Sequence, residues 1–105
     1  MTTTPALRAL RPTEVVSKLT QCEGWQLAGS QDTACVEKTF QFPGYFETIA
    51  FVNAVAFVAQ SMQHHPELVV GFRHCTVRYR THDVQGISQL DFDAAQRVDA
   101  LLSTH

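Results

Sequence analysis

The stretch CVEKTFQFPGYFETIAFVNAVAFVAQSM, residues 35–62, contains the change of period that decides the fold. Val36, Phe40 and Phe42 fall at even positions, while Glu37, Thr39 and Gln41 occupy the odd ones between them. That alternation marks a strand with one buried face and one wet face. Pro43-Gly44 closes it. From Tyr45 to Met62 the alternation is gone. Ala, Phe, Met and Gln favour helix there, and Pro66 enforces a stop soon afterwards. The apolar positions Ile49, Phe51, Val52, Val55, Phe57, Val58 and Met62 nearly encircle this helix. A helix apolar all round is buried on more than one side. One small sheet covers a single face, so the other face is expected to meet another subunit.

Outward from this stretch, toward the N-terminus, residues 1–11 read as a flexible arm. Thr13 is expected to cap a short helix carrying Val15, Val16 and Leu19, which Gly24 ends. A strand follows at Trp25 to Leu27, then a turn at Gly29-Ser30-Gln31-Asp32. Toward the C-terminus, Glu67 to Phe72 and His74 to Thr81 read as two strands joined at Gly71-Phe72-Arg73. In the second, Cys75, Val77 and Tyr79 alternate with Thr76, Arg78 and Arg80. Ser88 and Asp91 form a capping-box-like start, with Asp in place of the usual Glu or Gln. The helix that follows carries Leu90, Ala94, Val98, Leu101 and Leu102 along one side. The order is α-β-β-α-β-β-α, and strands joined by short turns are antiparallel. An α+β fold of two layers is expected: a four-stranded antiparallel sheet with three helices packed on one face, forming a single domain over residues 12–105.

Composition bounds the function classes. The 105 residues suffice for one core, not two. A net charge of −2 gives no electrostatic reason to expect direct nucleic-acid contact or an anionic membrane as partner. The three cysteines, Cys22, Cys35 and Cys75, are odd in number and lack a CxxC pair, which argues against a disulfide scaffold and a zinc site. Met1-Thr2-Thr3-Thr4-Pro5 lacks the apolar run of a secretory signal, and the apolar stretch Ile49 to Ala59 is too short to span a bilayer. A cytoplasmic location follows by default. Nucleotide-binding glycine loops, a serine hydrolase elbow and a convincing cysteine nucleophile are all missing.

Five histidines are present, and three stand where the chain changes direction. His64 and His65 lie at the end of the long helix, and His82 follows the last strand. Loops leaving rigid elements commonly hold catalytic groups, and imidazole gives or takes a proton near neutral pH. A His-His pair before proline serves equally well as a solvated helix end, so local chemistry leaves both readings open. No metal is expected: adjacent histidines rarely aim both rings at one ion, and HExxH is absent. His74 reads as structural or exposed, and His105 as a disordered terminus.

Gln63-His64-His65-Pro66-Glu67, followed by Thr81-His82-Asp83 and Gly86-Ile87-Ser88, resembles the pterin-4a-carbinolamine dehydratase family, also called 4a-hydroxytetrahydrobiopterin dehydratase. The resemblance runs from Gly24-Trp25 through Phe40-Gln41-Phe42 to Asp99-Ala100-Leu101-Leu102. Phe51-Val52-Asn53-Ala54-Val55-Ala56 and Thr81-His82-Asp83-Val84 are most similar to bacterial members. It implies His64, His65 and His82 as the catalytic set, with Gln63, Arg80, Thr81 and Asp83 lining the pterin site. Asp83 either orients a histidine or holds the turn toward Gly86. Two positions depart from the family pattern. Leu68 replaces a common aromatic residue and bears on substrate packing. Gln60 replaces a common glutamate and bears on the tuning of His64.

The reaction that the resemblance implies is loss of water from 4a-hydroxytetrahydropterin to give quinonoid dihydropterin, which a reductase recycles for aromatic amino acid hydroxylases. No cofactor or metal is needed: one imidazole protonates the departing hydroxyl and another takes the N5 proton, each effect typically worth about 10²–10⁴-fold. The resemblance also implies a homotetramer built as a dimer of dimers. The alternative is a non-enzymatic interaction or assembly protein, since some animal relatives are dimerisation cofactors of a transcription factor and some bacterial relatives resemble rubisco assembly factors.

Overall fold

A computed structural model describes residues 7–103. Its elements follow the expected order: α1 (Pro12–Leu19), β1 (Gln26–Ala28), β2 (Cys35–Gln41), α2 (Tyr45–Met62), β3 (Glu67–Val70), β4 (His74–Tyr79) and α3 (Gln89–Ala100). Short 3-10 turns at Gln31–Thr33 and His82–Val84 follow β1 and β4. The strands form one antiparallel sheet in the order β1-β2-β4-β3. β2 and β4 are therefore central neighbours, although α2 and β3 separate them in the chain.

Register assigns the two faces. Val36 pairs with Tyr79, Lys38 with Val77 and Phe40 with Cys75, so these side chains share a face. Leu68 and Val70 join them from β3, opposite Val77 and Cys75. All three helices bury side chains in the core on this face: Val15 from α1, Phe51 and Val55 from α2, and Phe92, Ala94, Ala95 and Val98 from α3. Fully burying a valine or phenylalanine here contributes roughly 1.5–3 kcal/mol. The ring of Phe51 lies 4.7 Å from that of Phe40 and 5.0 Å from that of Phe42. Lys38 is the polar exception. Its Nζ donates to Asp99 Oδ1 at 2.9 Å and to the Glu23 carbonyl at 3.1 Å, and Asp99 also accepts from the Trp25 indole at 3.0 Å. The opposite face, bearing Glu37, Thr39, Thr76, Arg78, Glu67 and Val69, has no helix packed on it among the described residues.

Several boundaries and faces differ from expectation for local reasons. α1 begins at Pro12 with Arg11 as its N-cap, not at Thr13. Proline is preorganised for the first helical position, and Glu14 accepts from the Arg11 backbone N–H at 2.9 Å. The Arg8 guanidinium clasps Glu14 and holds its carboxyl below the usual range. Residues 1–6 of the expected arm lie outside the described residues, as does the terminal His105. Leu10 donates its N–H to the Ile87 carbonyl at 2.7 Å. The first strand starts one residue late because Trp25 turns into the core. On α3 the buried side carries Asp91, Phe92, Ala94, Ala95 and Val98, while Leu101 and Leu102 lie past the helix end and are exposed. Asp91 faces inward because its carboxylate bonds there, which rotates the helix from the stripe that leucines alone would set.

α2 does leave an apolar face in water. Phe46 and Phe57 are 90% and 80% exposed, whereas Val52, Val58 and Met62 pack against the core. The buried Thr48 hydroxyl lies 2.8 Å from the Gly44 carbonyl and 3.0 Å from that of Phe72, tying the start of α2 to the β3–β4 turn.

Candidate active site

The end of α2 aims the histidine pair. Gln63 adopts the left-handed conformation (φ 52°, ψ 41°) and reverses the chain, and the His64 N–H donates back to the Ala59 carbonyl at 3.1 Å. Consecutive residues in extended chain point to opposite sides. His64 therefore turns toward the helices and is buried, while His65 turns toward the open face of the sheet.

His64 is held from two directions. Its Nε2 lies 2.6 Å from Asp91 Oδ1, and its ring stacks on Tyr79 at a 5.1 Å centroid distance and 25°. Asp91 is wholly buried, and its other oxygen accepts from the Thr81 hydroxyl and the Ser88 N–H, both at 2.9 Å. Thr81 and Ser88 hydroxyls are 2.7 Å apart. One carboxylate thus joins the end of α2, the chain leaving β4 and the first turn of α3. Buried charge is tolerated only when so fully bonded. Burial, and secondarily the Asp91 charge, push the Tyr79 phenol up to about 12.

On the open face, His65, Arg80 and His82 line one cavity of about 500 Å³ together with Ala28, Gly29, Thr33, Cys35, Glu37, Glu67 and Arg78. Parity explains the gathering. His65 precedes Glu67 by two residues, and Arg78, Arg80 and His82 are spaced by two, so alternation sends them to one side. Gly29 shapes the rim at φ +75°, where an added Cβ would collide with the Thr33 backbone. His65 Nε2 makes only a long 3.4 Å contact with Gln60 Oε1. Arg78 is committed to Glu37 Oε1 at 2.9 Å and Glu67 Oε1 at 3.0 Å. Arg80 Nη1 donates to the Asp32 backbone carbonyl. Burial raises the Cys35 thiol, which keeps it protonated and a poor nucleophile.

Of the residues singled out in the sequence, the cavity gathers His65, His82 and Arg80. His64 lies behind it, and Thr81 is buried in the Asp91 network. Gln63 and Asp83 are exposed and do not line it. The orienting carboxylate is Asp91 rather than Asp83; its place at the third position of a helix concealed a second task. Gln60 reaches His65 rather than His64, and Leu68 packs on the helix side of the sheet, away from the cavity. Glu37, Glu67 and Arg78 carry no signal in the sequence, because a strand's wet face normally bears such residues. Among the described residues no group of three or more His, Cys, Asp or Glu side chains is placed to hold a metal ion, and no helix is long and apolar enough to cross a membrane.

Fold and cavity together define a small two-layer α+β protein with imidazoles at the mouth of an open sheet face. The chain belongs to the pterin 4 alpha carbinolamine dehydratase family, whose sequence profile matches residues 8–101. A relative from Paracidovorax citrulli is 52% identical over 98 residues, covering 93% of this chain and 84% of that one. Another from Bdellovibrio bacteriovorus is 45% identical over 101 residues, covering 92% and 81%. The pterin-4-alpha-carbinolamine dehydratase names of both are provisional. Two solved structures share the fold at 24% identity. One is a transcriptional coactivator/pterin dehydratase from Brucella melitensis, with a TM-score of 0.84 over 91% of this chain and all of that one. The other is a pterin dehydratase-like protein described as a RuBisCO assembly factor in the alpha-carboxysome, with a TM-score of 0.66 over 79% and 94%.

Proposed function

We propose that the protein eliminates water from a 4a-hydroxytetrahydropterin, yielding the quinonoid dihydropterin. The observation that carries this reading is the sharing of one cavity by His65 and His82, with His64 fixed behind them by Asp91. The C4a–O bond breaks as one imidazolium gives its proton to the hydroxyl, which leaves as water. The other imidazole takes the N5 proton, and the N5–H electron pair forms the C4a=N5 double bond. The product then needs a reductase to return it to the tetrahydro state, which places the protein in cofactor recycling for pterin-dependent hydroxylases. His64 acts as a positioning residue behind His65.

Self-association belongs to the same proposal. Phe46 and Phe57 form an apolar strip on α2, and monomers rarely leave such a patch in water. A tetramer of paired dimers, as the family resemblance implies, would cover it with a second copy of α2. The three free cysteines suit a reducing cytoplasm. The deciding experiment is a stopped-flow assay with freshly generated 4a-hydroxytetrahydropterin. The expected result is formation of the quinonoid product well above the spontaneous rate; a rate equal to the background refutes the proposal.

A further inference from the structure

We propose that Glu37 selects the pterin ring, its unbonded carboxylate oxygen accepting the donors of the ring's 2-amino-pyrimidinone edge while Arg80 takes the adjacent ring carbonyl. This rests on the dehydratase reading above and specifies how its cavity recognises substrate. Glu37, Arg78 and Glu67 stand opposite one another on three neighbouring strands, a rung across the open face. Arg78 donates to both carboxylates, so two negative charges share one positive charge. Glu37 is the sheltered one, with a side chain 16% exposed against 68% for Glu67. Only its Oε1 is bonded, to Arg78, and Oε2 has no hydrogen-bond partner among the described residues. A carboxylate has about four lone-pair sites, so this one retains free acceptor capacity. Arg78 fixes its orientation, which a binding group needs.

Arg80 supplies the complementary charge. It follows Arg78 by two residues on the same side and lines the same cavity. Its guanidinium uses one donor on the Asp32 backbone, its Nε is buried without a partner, and it has no ion pair among the described residues. The cavity therefore sets a surplus acceptor beside a surplus cationic donor. A pterin presents the matching edge: the 2-amino and N3 hydrogens are donors, and the carbonyl at C4 is an acceptor. That carbonyl carbon is bonded to C4a, the reacting atom. Seating the carbonyl on Arg80 thus brings C4a toward His82, two residues further along the chain, with His65 lining the same cavity.

The test compares pterin with lumazine, in which a 2-oxo acceptor replaces the 2-amino donor and would face the Glu37 carboxylate. Binding of each to the intact protein is measured by fluorescence titration. The wild type is expected to prefer pterin by at least about tenfold, the loss of one charge-assisted hydrogen bond. Glu37→Gln, with the same shape and an amide that both donates and accepts, should bring the ratio below about threefold. Arg80→Met should weaken both ligands alike, since both retain the C4 carbonyl. Equal wild-type affinities, or a preference that survives Glu37→Gln in a protein with a native circular-dichroism spectrum, overturns the assignment. The wild-type comparison needs no variant, so a misfolded Glu37→Gln leaves the test standing. A wild type that dehydrates the substrate yet does not discriminate refutes the Glu37 assignment alone. Absence of both turnover and pterin binding refutes the dehydratase reading with it.

Discussion

His64 Nε2 and Asp91 Oδ1 are 2.6 Å apart with both side chains withdrawn from solvent, so the third residue of α3 fixes the residue that follows the C-cap of α2. Asp91 also accepts from the Ser88 N–H and the Thr81 hydroxyl, and its loss would remove the acceptor of three groups at once. Asp91→Ala should destabilise the fold by about 3 kcal/mol or more, the usual cost of breaking a buried pair from one side. Urea denaturation measures this directly. Asp91→Asn, which keeps the shape but not the charge, should lose less stability while still lowering turnover through a misdirected His64. A stability change below about 1 kcal/mol for Asp91→Ala would show that the network is dispensable.

The three histidines should separate by their variants. His65 and His82 are exposed at the cavity, so His65→Ala and His82→Ala should each lower kcat at least about tenfold with a near-wild-type Tm. His64→Ala should lower both kcat and Tm, because it empties a buried site against Tyr79 and strands Asp91. Background elimination must be subtracted in each case. Equal loss of Tm in all three would contradict the division between cavity and support.

The element order is legible in the sequence because β2 and α2 change period within a few residues, and because Pro66, Gly71 and Gly86 punctuate the chain beyond them. The helix face of the sheet is legible for the same reason: Val36, Phe40, Cys75, Val77 and Tyr79 follow the alternation, with Lys38 its one polar break. The site is legible only as histidines at chain reversals. That His64 and His65 part company depends on the left-handed Gln63, a residue whose type gives little warning of that conformation. That Asp91 rather than Asp83 holds His64 depends on α3 crossing the end of α2, a long-range contact with no local signal. Parity along β4 is the one pattern that could link Arg78, Arg80 and His82 in advance, and with them the open-face cavity.

The strip on α2 yields a two-part prediction. Phe57 is 80% exposed while its neighbour Val58 packs against the core. Phe57→Asp should reduce the assembled mass in light scattering while the monomer keeps its fold, since the charge enters solvent rather than the core. Val58→Asp should instead lower stability by several kcal/mol, because an unpaired carboxylate would sit against apolar side chains. A wild-type protein that stays monomeric at micromolar concentration would remove the oligomer from the proposal.

Tyr79 offers a pH signature with a definite sign. It is fully buried beneath His64, and its hydroxyl has no protein partner among the described residues. Burial first, and the Asp91 charge second, raise its phenol from 10.0 to about 12. Below pH 10 the phenol is neutral in both folded and unfolded chains and contributes no pH dependence. Between about pH 10 and 12 the unfolded chain releases the proton while the folded chain keeps it, so stability falls as pH rises. The buried cysteines act in the same direction from about pH 9, so the comparison must be with Tyr79→Phe, which leaves them in place. Tyr79→Phe should flatten the decline in Tm above pH 10 relative to wild type. At pH 7 it should be neutral or stabilising by up to about 1 kcal/mol, because it removes an unpartnered buried hydroxyl and keeps the ring against His64. Parallel wild-type and Tyr79→Phe curves from pH 9 to 12 would show that the phenol ionises as readily in the folded protein as in the unfolded chain.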